Sequence, residues 1–248
     1  MQGNVVRKIK TGASKGVNRI VWNFRYSAVT PISLTPFDDS VPWMSEDVGY
    51  MVVPGKYQVS LSKFDEGKFT ELVPAQEFVC KPLNNTTLPA EDKAALNAFN
   101  KKVADITIAI NSANSYRIEL VKQLDYFKKA VIEGEEVSNA VYNEIIDVEL
   151  QLKRLNKKLN GDNLISRYEG ARPTSIKERV DLITGALWTT TAGQTTTFVK
   201  SYEDAASRFD AIVVELKEID EKVKSIKSQL EKASAPYTPG RFPDWRNN

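Results

Sequence analysis

The chain has 248 residues with 42% hydrophobic content, one cysteine, no histidine, and 34 basic against 32 acidic side chains for a net charge of +2. Without histidine there is no imidazole for a catalytic triad, a zinc site or acid–base work near neutral pH, and Cys80 alone makes neither an internal disulfide nor a multi-cysteine metal site. Near-balanced charge gives nucleic acid no general hold, and no apolar run approaches the ~20 residues of a membrane span.

The first residues contain no secretory hydrophobic region. Val5 to Ile9 reads as a weak strand, and Ile20, Trp22, Phe24 and Tyr26 alternate with Val21, Asn23 and Arg25, which puts the aromatics on one face of a second strand. The first 37 residues hold six basic side chains (Arg7, Lys8, Lys10, Lys15, Arg19 and Arg25) and no acid. Solvent-facing strand positions account for them, with an anionic partner as the alternative.

Residues 30–49 form a long loop punctuated by Pro31, Pro36 and Pro42, with the acids Asp38, Asp39, Glu46 and Asp47 and the aromatics Phe37 and Trp43. Rings stack on sugars and carboxylates accept hydroxyl protons, so this is the candidate ligand loop. The plainer reading is that Trp43 plugs the end of the β domain. A glycosidic acid pair is a weaker case, since nothing in the sequence fixes the separation of the carboxyls.

Pro54-Gly55 turns the chain into a strand in which Tyr57, Val59 and Leu61 alternate with polar residues, and Asp65-Glu66-Gly67 predicts a hairpin connection between Phe64 and Phe69. Gln76 to Cys80 is a further strand. Short strands with frequent turn signals predict a small antiparallel sandwich over 1–84. The segment 81–88 breaks both periods and places the boundary before a helical region, 85–248.

That region opens with a heptad stripe through Leu96, Phe99, Val103, Ile106, Ile110, Ala113, Leu120, Leu124, Phe127 and Val131, which predicts one helix over 88–131 with Pro89 in its first turn. Arg117 alone interrupts the stripe, so it needs a carboxylate partner or an exit from the seam near the end of a neighbouring helix. A second stripe runs from Val141 to Leu159 and stops at Asn160-Gly161. Ser175 and Glu178 have capping-box spacing ahead of Ile176, Val180, Ile183 and Leu187. After six threonines in 189–197 the last stripe runs unbroken from Phe198 to Leu230. Two long and two short helices predict an antiparallel four-helix bundle, with the short pair together running beside the long pair. The fold class expected is therefore α+β: an Ig-like sandwich followed by the bundle.

Three motifs carry a resemblance. Lys15-Gly16-Val17-Asn18-Arg19, Trp22-Asn23-Phe24-Arg25-Tyr26, and Val53-Pro54-Gly55-Lys56-Tyr57 after Gly49 resemble an Ig-like module of flagellar hook-cap type, with Asn23 where the family has Asp. The stretch from Pro236 to Trp245 is similar to the closing segment of large secreted bacterial proteins of the sortilin-like, BNR-repeat glycosyl hydrolase type. The resemblance implies an exported parent at the periplasm or cell surface, with a β-propeller upstream that would carry any glycan chemistry. It also implies that the chain starts inside the sandwich, with a strand or more missing. Asp39-Ser40-Val41 resembles an O-glycosylation acceptor of some such bacteria. No catalytic residue, cofactor or metal site carries over. The expected role is a non-catalytic structural or interaction module, whose partners are the upstream propeller and a protein or glycan. The alternative is an accessory carbohydrate-binding role through the 30–49 loop.

Overall fold

The computed structural model describes residues 3–35, 38, 40, 47–83, 85–162, 165, 173–243 and 245. Among these it is α+β, with one two-stranded antiparallel sheet and four helices. The strands are β1 (Gly55–Asp65) and β2 (Lys68–Cys80); the helices are α1 (Lys93–Glu133), α2 (Asn139–Asn160), α3 (Ile176–Leu187) and α4 (Thr196–Lys232).

The helices start where side chains meet their orphan amides. Asp92 accepts from the N–H of Ala94 and of Ala95, both at 2.9 Å, so α1 begins at Lys93 rather than at residue 88 and Pro89 stays outside it. Ser138 caps α2, Thr195 caps α4, and Ser175 and Glu178 close a reciprocal capping box on α3.

The four helices make three rods, with the two short helices in series beside the two long ones. Phe99 meets Tyr202 with ring centroids 5.8 Å apart, and farther along the same two helices Tyr116 bonds Asp220, so α1 and α4 run parallel. Against α4, the start of α2 meets the far end (Gln229 to Glu144, 2.8 Å) and the end of α2 meets its middle (Lys158 to Glu215, 2.7 Å). Arg179 of α3 then pairs with Asp204 nearer the start of α4, at 2.6 Å. The chain thus climbs α1, descends α2 and α3 in series, and climbs α4. The physical reason is length: α1 has 41 residues, about 62 Å of helix, whereas α2 has 22 and α3 has 12, so only the two end to end match it.

The apolar stripes fill the centre. Leu124, Ile145, Leu152, Leu155, Leu159, Ile183 and Ile219 are fully buried, each contributing roughly 1.5–3 kcal/mol relative to exposure. Val29 and Tyr50 of the front third belong to the same core cluster.

The β-sandwich expected over 1–84 is overturned. Glu66 (φ 48°) and Gly67 (φ 79°) make the left-handed two-residue turn that a tight hairpin needs, and β1 pairs with β2 from Gly55↔Cys80 to Asp65↔Lys68 with register shifts beyond Val59 and Leu61. Among the described residues no second sheet packs on this one. Val5 to Ile9 and Ile20 to Tyr26 are not strands there; a single bridge joins Arg25 to Met51, flanked by Tyr26 N–H to Tyr50 O at 3.0 Å and Val52 N–H to Phe24 O at 2.8 Å. Phe24 lies at φ 56°, a conformation that breaks an extended run, and this splits the aromatic alternation: Trp22 turns to the hairpin and Tyr26 to the bundle.

Candidate functional site

Of the six loop residues singled out from sequence, Phe37, Asp39, Trp43 and Glu46 lie outside the described residues. Asp38 accepts from the Ser40 hydroxyl at 2.5 Å and from its backbone N–H at 3.0 Å, and these two bonds hold its carboxyl below the usual carboxylate range. Asp47 accepts from the Thr30 hydroxyl. Asp38 is engaged in its own local turn and Asp47 by a hydroxyl 17 residues away, and no contact brings the two together as a pair. The acceptor-like segment from Asp39 to Val41 likewise falls mostly outside the described residues.

What the structure does build lies at the junction. Arg25 Nη1 donates to the carbonyl of Trp188 at 2.7 Å and to that of Gly49 at 3.3 Å, while Tyr26 stacks on Tyr50 at 4.4 Å and Tyr50 leans on Trp188 at 5.9 Å. Asn111 of α1 donates to Val29 O at 3.2 Å. Burial drives the Tyr50 phenol well above its usual pKa. Gly49 is required here, since a Cβ would sit 2.5 Å from the Ser27 carbonyl oxygen. This junction carries apolar stacking and satisfied carbonyls, which is a weld rather than a reaction centre. Sequence reasoning placed Arg25 on a strand face and missed the weld, because no local signal ties it to a position so far along the chain.

From the weld the hairpin projects as a ribbon. Trp22 covers its base, with ring centroids 5.7 Å from Tyr57 and 6.1 Å from Phe78. Beyond them every residue from Gln58 to Glu77 is exposed, including Val59 at 58%, Leu61 at 47%, Leu72 at 56% and Val73 at 41%. Cys80 stands half-buried at the base, and burial pushes its thiol up, away from the thiolate that would make it reactive.

Among the described residues, open clefts lie on the bundle at the following two places. One, of about 280 Å³, lies between α1 and α4 over Ala109, Ala113, Phe209 and Val213. At its rim burial pushes the Asp220 carboxyl up, but hydrogen bonds from Lys224 and Tyr116 outweigh that and hold it below the usual range. The other, about 240 Å³, lies between the end of α1 and the segment from Pro236 to Pro239. Neither converges polar groups on an enclosed point. Among the described residues no group of three His, Cys, Asp or Glu side chains could hold a metal ion, and no helix is long and apolar enough to cross a membrane.

Comparison adds no relative. No protein-family model, characterised protein or solved structure matches the chain. The site must therefore be judged on its own chemistry, and the exposed ribbon beside the weld is its most distinctive feature.

Proposed function

We propose that the chain is a non-catalytic structural and interaction module, a rigid helical rod that holds a β-ribbon out for a partner. The observation that carries this reading is the contrast within one molecule: the helices bury nearly every stripe residue, whereas the ribbon leaves Val59, Leu61, Leu72 and Val73 open to water. Exposed apolar side chains at strand spacing on a fixed support are the ordinary chemistry of a docking element. The motifs between Lys15 and Tyr57 and between Pro236 and Trp245 suggest the setting, an exported parent at the periplasm or cell surface whose propeller is docked by this module.

The test replaces Val59, Leu61 and Val73 together by Thr. A docking surface contributes little to the isolated fold, so the variant should melt with the parent chain. A large drop in melting temperature would show that these side chains serve the fold, and the docking reading would fail. In parallel, no glycoside should turn over above buffer; turnover abolished by Asp38→Asn or Asp47→Asn would make the chain an enzyme.

A further inference from the structure

We infer that the segment after α4 is a strap whose Trp245 ring closes the cleft between α1 and α4 of its own chain. The strap leaves the bundle from a fixed point. Ala235 is buried and donates its N–H to Leu230 O at 3.0 Å, while Arg241 donates to Ala235 O at 2.8 Å and its guanidinium lies 4.4 Å from the centre of the Tyr237 ring. Between them the chain reverses: Arg241 N–H meets Thr238 O at 3.1 Å, with Pro239 and then Gly240 at φ 84° in the two central positions, as a type II turn requires. Beyond this anchored turn the rings of Phe242 and Trp245 stand 88% and 79% exposed.

Direction and reach lead to the cleft. Tyr237 shares a cleft with Tyr126 of α1, so the segment already runs back along the helices, and Lys227 of α4 donates to Gly240 O at 3.2 Å. Lys217, Asp220, Lys224 and Lys227 follow at steps of three and four, which is one flank of α4. Lys217 and Asp220 line the α1–α4 cleft and Asp220 pairs with Lys224 at 2.8 Å, so the turn is tied to the flank that forms the rim. From Lys227 back to Asp220 and Lys217 is about 10 and 15 Å of helix. From Gly240 to Trp245 the chain extends up to about 17 Å, with Pro243 keeping it from coiling, whereas Phe242 lies only about 7 Å on. Trp245 is the ring that spans the gap.

The cleft suits an indole. Ala109 and Ala113 of α1 face Phe209 and Val213 of α4 around a volume of about 280 Å³, and alanines where the stripe elsewhere carries Ile110 and Leu120 leave depth between the two rods. At the rim the Asp220 carboxylate accepts from Tyr116 on one oxygen and from Lys224 on the other, which leaves lone pairs for an indole N–H that phenylalanine could not supply. Seating the ring takes two apolar surfaces out of water together. A short tether holds Trp245 at millimolar effective concentration, so at micromolar protein the chain's own strap closes before a second copy can. The structure shows the strap open, with Trp245 in water.

The test reads Trp245 in the whole chain, as the difference in tryptophan emission and acrylamide quenching between the chain and its Trp245→Phe variant. A closing strap gives that difference a blue-shifted emission and a quenching rate several-fold below that of a free peptide spanning 236–245. Ala109→Phe fills the floor from a half-buried position that borders the open cleft, so the fold should persist while Trp245 returns to the emission and quenching of the peptide. If circular dichroism shows that variant to be unfolded, Val213→Phe makes the same test from the opposite wall. A Trp245 as quenchable in the parent chain as in the peptide, shielding that survives a folded Ala109→Phe or Val213→Phe, or shielding that grows with protein concentration and so comes from a second copy, would each overturn the inference.

Discussion

Arg25 and Trp188, 163 positions apart, are joined by a 2.7 Å hydrogen bond from the guanidinium to a carbonyl at the C-terminal end of α3. Such carbonyls have no intrahelical partner and sit at the negative end of the helix dipole, so a cation there satisfies both needs. The same guanidinium reaches Gly49 O, so one side chain gathers two front-third segments onto the bundle, beside the Asn111 bond to Val29 O. Arg25→Met should cost about 1.5–3 kcal/mol, the usual worth of a charged hydrogen bond. Denaturant unfolding measures the loss, and limited proteolysis should cut the front segment first. A variant as stable and as resistant as the parent would show that the stacking of Tyr26, Tyr50 and Trp188 holds the junction alone.

Arg117 interrupts the apolar stripe of α1 without a carboxylate partner. Its Nε and Nη2 donate to Asn114 Oδ1 at 3.3 and 3.1 Å, and the same oxygen accepts from Asn160, the last residue of α2, at 2.9 Å. The guanidinium therefore meets the bundle where α2 stops and the third rod is broken, and burial there lowers its pKa. Because the charge is only partly repaid by neutral acceptors, Arg117→Leu should be neutral or stabilising by up to about 1 kcal/mol. Asn114→Ala should instead cost about 1–3 kcal/mol, since it removes the acceptor of three donors, of which only Asn160 Nδ2 keeps another, Asn156 Oδ1. Equilibrium unfolding of both variants decides it; a strongly destabilised Arg117→Leu would mean that the polar layer specifies the pairing of α1 with α2.

The helices were legible because their signals are local and periodic: the stripe from Leu96 to Val131, the stop at Asn160-Gly161 and the Ser175–Glu178 spacing each act within a few turns. That α2 and α3 together run beside the long pair was legible from their lengths; that α1 and α4 run parallel to each other was not, because stripes carry no direction. The front third misled for a different reason. Alternation from Ile20 to Tyr26 records which side is apolar but not which strand lies beside it, and the left-handed Phe24 reverses the faces midway. The hairpin turn was legible from Asp65-Glu66-Gly67, yet nothing local to β1 or β2 shows that the ribbon stands uncovered. The ligand loop was chosen on composition, which says nothing of how its acids are engaged; Asp38 and Asp47 are each held by a neighbouring hydroxyl.

Gly49→Ala probes the close approach at the junction. The added Cβ would stand 2.5 Å from the Ser27 carbonyl oxygen and 3.1 Å from Tyr26 Cβ, contacts that backbone cannot relieve cheaply. The cost should be about 1–3 kcal/mol, as for overpacking elsewhere, and near-ultraviolet circular dichroism should report disturbed stacking of Tyr26 on Tyr50. An unchanged spectrum and an unchanged midpoint would show that this loop shifts freely away from the bundle.

The base of the ribbon has a pH signature of its own. Tyr57 donates its hydroxyl to Val53 O at 2.6 Å under the Trp22 ring, and burial pushes its phenol up to about 12. An ordinary tyrosine titrates near 10, so in the unfolded chain this group releases its proton first. The native state then binds more protons than the unfolded one, and the stability this group contributes is complete below about pH 10 and is lost as pH rises from there through about 12. Tyr57→Phe should remove that share of the alkaline decline while leaving the share due to Tyr50, whose phenol is raised by its own burial at the junction. Trp22→Ala should bring the Tyr57 titration back toward 10 by letting water reach the ring. Tyrosinate absorbance followed on the folded chain, with unfolding midpoints at matched pH, separates these outcomes. If every tyrosine titrates together near 10 and Trp22→Ala changes nothing, Trp22 does not cover the ribbon base in solution, and the apolar surface offered to a partner must be drawn to include Tyr57 and Phe78.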